Sequence, residues 1–104
     1  MAQAIEVVSG SDSVQGLAAG NAAGRQLSGY CIAEDAAVPA PAKVILHNGT
    51  SAADPVIAIV TLDQSQAVTN SIGGNRGVNC GGGIYVERVS GQTRIVLYVK
   101  GSEP

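Results

Sequence analysis

An antiparallel β-sandwich, of the jelly-roll or immunoglobulin-like kind, is the fold class this sequence predicts. Three observations carry it. Short runs rich in Val, Ile and Tyr recur between Lys43 and Lys100. They are separated by Asn-Gly, Ala-Asp-Pro, Gly-Gly-Gly and Ser-Gly punctuation, the residues that turns demand. In the last run apolar positions alternate with period two, so one face is aimed at a core. A chain of 104 residues has room for one domain and one modest core.

Taken in order, Ala4–Val8 reads as a short strand. Ser9–Gly24 is built almost wholly from Gly, Ala, Ser and Asn and would bury little apolar area per residue ordered. It is expected to be an arm or loop. The alternative, a Gly-interrupted helix around Val14–Ala23, carries a penalty of about 1 kcal/mol at each of Gly16, Gly20 and Gly24. The predicted organisation is therefore a flexible arm over residues 1–24 and a sandwich over 25–104. Ala36–Pro41, with two prolines, is an extended connection. Lys43–Asn48 is a strand ended by an Asn-Gly turn. Pro55–Asp63 is a strand whose two faces are both apolar, Val56, Ala58, Val60 and Leu62 against Ile57 and Ile59, which predicts a central strand covered on both sides. Gly83–Val89 and Thr93–Lys100 flank Ser90-Gly91 and read as a hairpin, with Ile95, Leu97 and Val99 on the core face.

Composition bears on function. Charged residues make up 13% of the chain against about 25% in soluble domains generally, and a surface so poor in charge suits contact with other protein as well as a plain monomer. The core must be aliphatic, because there is no Phe or Trp and only Tyr30, Tyr85 and Tyr98. The six basic residues, Arg25, Lys43, Arg76, Arg88, Arg94 and Lys100, are scattered and the net charge is −2, so no nucleic-acid partner is expected: a phosphate-tracking surface needs a basic stripe. No membrane partner is expected either, since the longest mostly apolar stretch, Pro55–Leu62, is far too short to span a bilayer. Without a cationic start before an apolar run, the chain is expected to be made in a cytoplasm.

Candidate sites are few. His47, the one histidine, is expected at a surface or rim; a catalytic triad would pair it with Asp35, Asp54 or Asp63, but no nucleophile signature accompanies it. Cys31 and Cys80 are expected to be free thiols packed as small hydrophobes, and with His47 they lack metal-site spacing. Gly73-Gly74-Asn75-Arg76-Gly77 and Cys80-Gly81-Gly82-Gly83 fit no phosphate-loop pattern and are expected to serve tight turning and close backbone approach. No catalytic residue, cofactor or metal is expected.

The runs Lys43–Asp63 and Gly81–Lys100 together resemble the small β-sandwich virion proteins of tailed bacteriophages, capsid decoration or cement proteins in particular. The resemblance implies a non-enzymatic role: a homo-oligomer, commonly a trimer, fixed over the joints between major capsid subunits of the virion. A tail, neck or baseplate component, or a carbohydrate-binding adhesion module, would share the fold class. Interface residues are then expected at Val56, Ile57, Ala58, Ile59 and Val60 of the two-sided apolar strand. Ile5 and Val7 are expected at the tip of the arm, where they would add to a partner's sheet edge.

Overall fold

The computed structural model describes residues 3–22, 24–72 and 77–101, of which nearly all that are regular are β. Nine strands form two antiparallel sheets. They are β1 (Gln3–Gly10), β2 (Val14–Leu17), β3 (Gln26–Glu34), β4 (Ala42–Asn48), β5 (Val56–Leu62), β6 (Ala67–Ser71), β7 (Val78–Asn79), β8 (Ile84–Ser90) and β9 (Thr93–Lys100), with one 3-10 turn at Ala19–Asn21. The first sheet runs β1-β9-β3-β6, with the two-residue β7 also on β3, and the second runs β2-β8-β4-β5. Leaving out β7, this is the order of two interlocked Greek keys, a jelly roll. Of the alternatives the sequence left open, the strand order selects that one.

The sheets pack through their inward rows. Val7, Leu27, Ile32, Ile95, Leu97 and Val99 of the first sheet meet Leu17, Val44, Leu46, Val60, Ile84 and Val86 of the second in one cluster, nearly all of it aliphatic. The strand limits of β4, β5, β8 and β9 fall within a residue or so of those read from the sequence, and the inward row of Thr93–Lys100 is the expected one. The extended connection at 36–41 also carries no regular structure.

Three expectations are overturned. The segment 1–24, as far as it is described, is no arm. Residues 3–10 pair with β9 along Gln3↔Val99 to Gly10↔Thr93, and Val14–Leu17 pairs with β8. Val7, Leu17 and Ala22 are core residues. Its glycines did not prevent this, because the strands gain their burial from β8 and β9, outside the segment's own composition. Nor do β8 and β9 form a hairpin: they lie in different sheets. The Ser90-Gly91 connection crosses from one layer to the other, and Gly91, at φ 77°, backs onto Ala42 so closely that a Cβ would sit 2.6 Å from the alanine's own. Finally, β5 is an edge strand, and its second apolar face is turned to solvent.

Glycine in the 80–83 run does serve close approach: Gly83 has φ 98° and lies against the Leu17 carbonyl. Residues 73–76 of the neighbouring glycine-rich run lie outside the described residues.

One end of the sandwich is sealed by polar side chains at inward positions. Arg88 follows Ile84 and Val86 on the core face of β8 and is buried. Its Nε donates to Thr93 Oγ1 at 2.9 Å, Nη1 to the Asp12 carbonyl at 2.9 Å, and Nη2 to the carbonyls of Val8 and Thr93. The loop between β1 and β2 is thereby tied to β8 and β9. On β3, Glu34 is likewise buried and accepts from the Ala36 and Ser65 N–H groups, each at 2.6 Å.

Candidate functional site

Strand β5 holds the feature that stands out from ordinary sandwich construction. Its inward residues, Ala58, Val60 and Leu62, meet the core, whereas Val56 and Ile59 are 53% and 60% exposed. Ile59 pairs with half-buried Ile45 on β4, so the exposed apolar surface continues across the strand boundary. The other side of β5 has no partner strand among the described residues. Open edges invite pairing with another chain, and sandwich proteins blunt them with charge, proline, bulges or shortness. The other three sheet ends are blunted in this way. β1 carries Glu6 and a register shift between Val7 and Gly10, β2 has four residues and a shift of its own, and β6 is a five-residue strand with polar Thr69, Asn70 and Ser71. β5 runs seven residues with neither charge nor proline, its one irregularity lying beside His47 at the start.

The expected interface residues are thus divided by the fold. Val56 and Ile59 are exposed, Ile57 and Ala58 half-buried, and Val60 belongs to the core. Ile5 and Val7 lie in the other sheet, where Val7 is buried, so they are not brought beside β5.

Behind the start of β5 sits His47, expected at the surface and found 2% exposed. Its burial has a specific cause. Nδ1 lies 2.8 Å from the Asp54 carbonyl in the β4–β5 loop, Nε2 lies 2.8 Å from Glu87 Oε1 on β8, and the Tyr85 ring flanks the imidazole at 6.3 Å between centroids. A carbonyl can only accept, so Nδ1 carries a hydrogen; a carboxylate accepts as well, so the arrangement is met in full by the doubly protonated ring. Burial pulls the imidazole pKa down, but the hydrogen bonds to Asp54 and Glu87 outweigh it and the net shift is upward. Neither ring nitrogen is left to take a proton from a hydroxyl, which is what a general base must do. Asp54 itself turns its carboxylate back into the loop. It accepts from the Thr50 N–H at 2.7 Å and the Ser51 N–H at 3.0 Å, and these bonds hold its pKa below the ordinary carboxylate value. His47 and Asp54 together therefore fasten the β4–β5 hairpin to β8, and this fastening fixes the start of β5.

No family model matches the chain, and comparisons with curated proteins and with solved structures give no match either.

The remaining candidates are scattered. Cys31 on β3 is half-buried and Cys80 fully buried, and both are free thiols. Burial raises the Cys80 pKa, against a smaller opposing pull from Arg25. Among the described residues no three His, Cys, Asp or Glu side chains are grouped as a metal site would require. Tyr30 is buried, and Tyr85 and Tyr98 stand on strands of opposite sheets, so the tyrosines offer no common platform for a sugar ring. Sequence reasoning missed the buried charges: it counts Arg25 and Arg88 only among the scattered basic residues and does not single out Glu34, yet all three are buried. For Arg88 a signal existed, since it continues the inward parity of Ile84 and Val86.

Proposed function

We propose that this chain is a structural protein that acts by assembly, with β5 as its contact edge, and that it serves as a decoration or cement protein bridging major capsid subunits in a phage virion. The observation that carries the assembly reading is the contrast among sheet ends: three are blunted and the fourth, long and apolar, is open. Joined to another chain, β5 satisfies its outer N–H and C=O groups and covers Val56 and Ile59 together. A low density of surface charge supports the same reading, because charge is depleted at the centre of protein interfaces. The virion assignment draws on the resemblance of the strand runs and on the jelly-roll architecture, which recurs in viral capsid and lectin domains; architecture by itself names no function. The lectin-like alternative draws no support from the tyrosines.

Light scattering after size exclusion tests the assembly reading, with Ile59→Lys as the perturbation. The expected result is an oligomeric wild type and a folded, monomeric variant, because a lysine on an open edge disfavours strand addition. A dimer would correspond to two-fold pairing of β5 with itself, and a trimer to β5 meeting a different edge of the next subunit. A wild-type monomer at about 100 μM, or an oligomer indifferent to Ile59→Lys, would refute the role of β5. For the virion assignment, the chain is expected to bind purified phage heads lacking their decoration protein, and failure of folded protein to do so would refute it.

A further inference from the structure

The backbone of β5 shows which of its groups await a partner. In an antiparallel pair, alternate residues send both N–H and C=O to one neighbour, and the residues between them send theirs to the other side. The two sides of β4 can be told apart at its end. The Gly49 N–H donates to the Gly83 carbonyl on the β8 side, and the Asn48 N–H donates to the Pro55 carbonyl on the β5 side. The Arg88 N–H agrees with this, since it turns away from its β4 partner Val44 to Ser13 Oγ. The extra residue at the β4–β5 register shift is Ile57, on β5, so β4 keeps its own alternation. Leu46 and Val44 thus face β5 as Asn48 does, and bond their partners there, Ala58 and Val60. Ile59, between those two, turns its N–H and C=O to the open side. Thr61 does the same.

We propose that β5 pairs with β5 of a second copy of this chain, antiparallel and two-fold, with Ile59 opposite Ile59. The proposal rests on β5 being a contact edge and names what that edge meets. A two-fold axis normal to the sheet keeps core-facing side chains on the core side, so only residues of like facing can be opposed. Of the registers this leaves, the one centred on Ile59, the middle of seven residues, pairs the whole strand. It sets Ala58 opposite Val60 of the copy, and the two Ile59 residues exchange N–H···O=C bonds.

The chemistry of the strand selects a copy as its partner. An edge paired about a two-fold places its central residues against their own kind, so a single charge near the middle opposes itself. β1 carries Glu6 at such a place; β5 has no charge between Asp54 and Asp63, and the residue at its centre is β-branched, which favours facing pairs. No charged or aromatic side chain on β5 gives a foreign strand anything further to recognise. On the outer face the row Glu87, Ile45, Ile59 runs into its copy. Isoleucines of both chains then fill the seam while the charges of that row stand at its margins, which is the apolar centre and polar rim of a protein interface. The two four-stranded sheets become one continuous sheet.

Hydrogen exchange followed by NMR on the unaltered chain, beside light scattering, tests this. The expected result is a dimer in which the Ile59 and Thr61 amides exchange about tenfold or more slowly than after dilution to monomer, with Ala58 and Val60 slow in both. Oxidation of Ile59→Cys, in a Cys31→Ser background where buried Cys80 is the only other thiol, should link two chains, because opposed Cα atoms in such a pair lie about 5.5 Å apart. Thr61→Cys should not link to itself, since this register holds its two copies about 14 Å apart. A trimer, or slowed exchange that appears only when phage heads are added, overturns self-pairing and leaves β5 a contact edge of another kind. A dimer that links through Thr61→Cys and not through Ile59→Cys overturns the register. A monomer, or an oligomer whose Ile59 and Thr61 amides exchange freely, refutes the contact edge and the pairing with it.

Discussion

Replacing Arg88 by Met keeps the length of the stem and deletes the guanidinium, which isolates the worth of the polar seal. Four contacts disappear, at Thr93 Oγ1, Thr93 O, Asp12 O and Val8 O. Val8 is exposed near the end of β1 and Asp12 in the loop that follows, so water can take over their carbonyls; Thr93 is fully buried and loses two donors with no replacement. Bonds from a charged donor contribute about 1.5–3 kcal/mol each. The two at Thr93 dominate, and relief of the arginine's own burial offsets part of their loss, leaving an expected destabilisation of about 3 kcal/mol. In a domain of this size that lowers Tm by about 12 °C. Urea unfolding followed by circular dichroism measures it, on Arg88→Met, Thr93→Val and the double variant. Because the double variant removes the stranded Thr93 hydroxyl as well, it should cost about 1 kcal/mol less than the two single changes added together. A loss below about 1 kcal/mol for Arg88→Met, or strict additivity, would refute the view that this end is held by the arginine.

Deleting residues 2–10 should unfold the protein or destabilise it by about 4 kcal/mol or more, since Val7 leaves the core and β9 loses a neighbour; a truncated form with unchanged unfolding by circular dichroism would contradict the pairing of β1. The raised pKa of His47 sets a pH dependence. Its contribution to stability is complete below the unfolded value of about 6.5 and is lost as pH rises through the higher folded value. Stability measured between pH 5 and 9 should fall through that window in the wild type and lose this component in His47→Gln, with Glu87→Gln moving the NMR-detected imidazole titration downward. Alkylation followed by mass spectrometry should label Cys31 first and Cys80 only on unfolding, because Cys80 is buried and its thiolate is disfavoured; equal labelling rates in the native state would contradict the packing.

The sequence made five strands legible, β1 through its Ala4–Val8 stretch and β4, β5, β8 and β9 nearly whole, because each carried enough consecutive β-branched or alternating residues to declare itself. What it hid follows from local exceptions to period two. In β3 the register shifts between Leu27 and Gly29, so Leu27 and Tyr30, three apart, both point inward and the alternation is broken. β6 is a largely exposed edge strand, and edge strands need no apolar pattern. β2 is short and contains Gly16. The apolar outer face of β5 was visible as a pattern, but covering both faces of a central strand and leaving one open on an edge give the same string of residues. Only the pairing partners distinguish them. The candidate site was legible to that extent: Val56 and Ile59 were among the residues expected, while the clasp of His47 by Asp54 and Glu87 depends on a contact between residues forty apart that no local pattern encodes.

The strand order also sets a timetable. Among the described residues β4 and β5 are the only paired strands adjacent in the chain, and β9, the last of these strands to be synthesised, lies between β1 and β3 inside its sheet. Until β9 arrives, β1 has no partner and β3 has one side bare; until β8 arrives, β2 has none. A nascent chain therefore holds one finished hairpin, and that hairpin ends in the open apolar edge of β5. Closing long loops before contacts repay them slows folding of such topologies, so this chain spends its unfinished interval displaying its most adhesive strand, at a stage when identical neighbours on a polysome are close at hand. Chaperone dependence during synthesis, and its relief by Ile59→Lys, is the consequence.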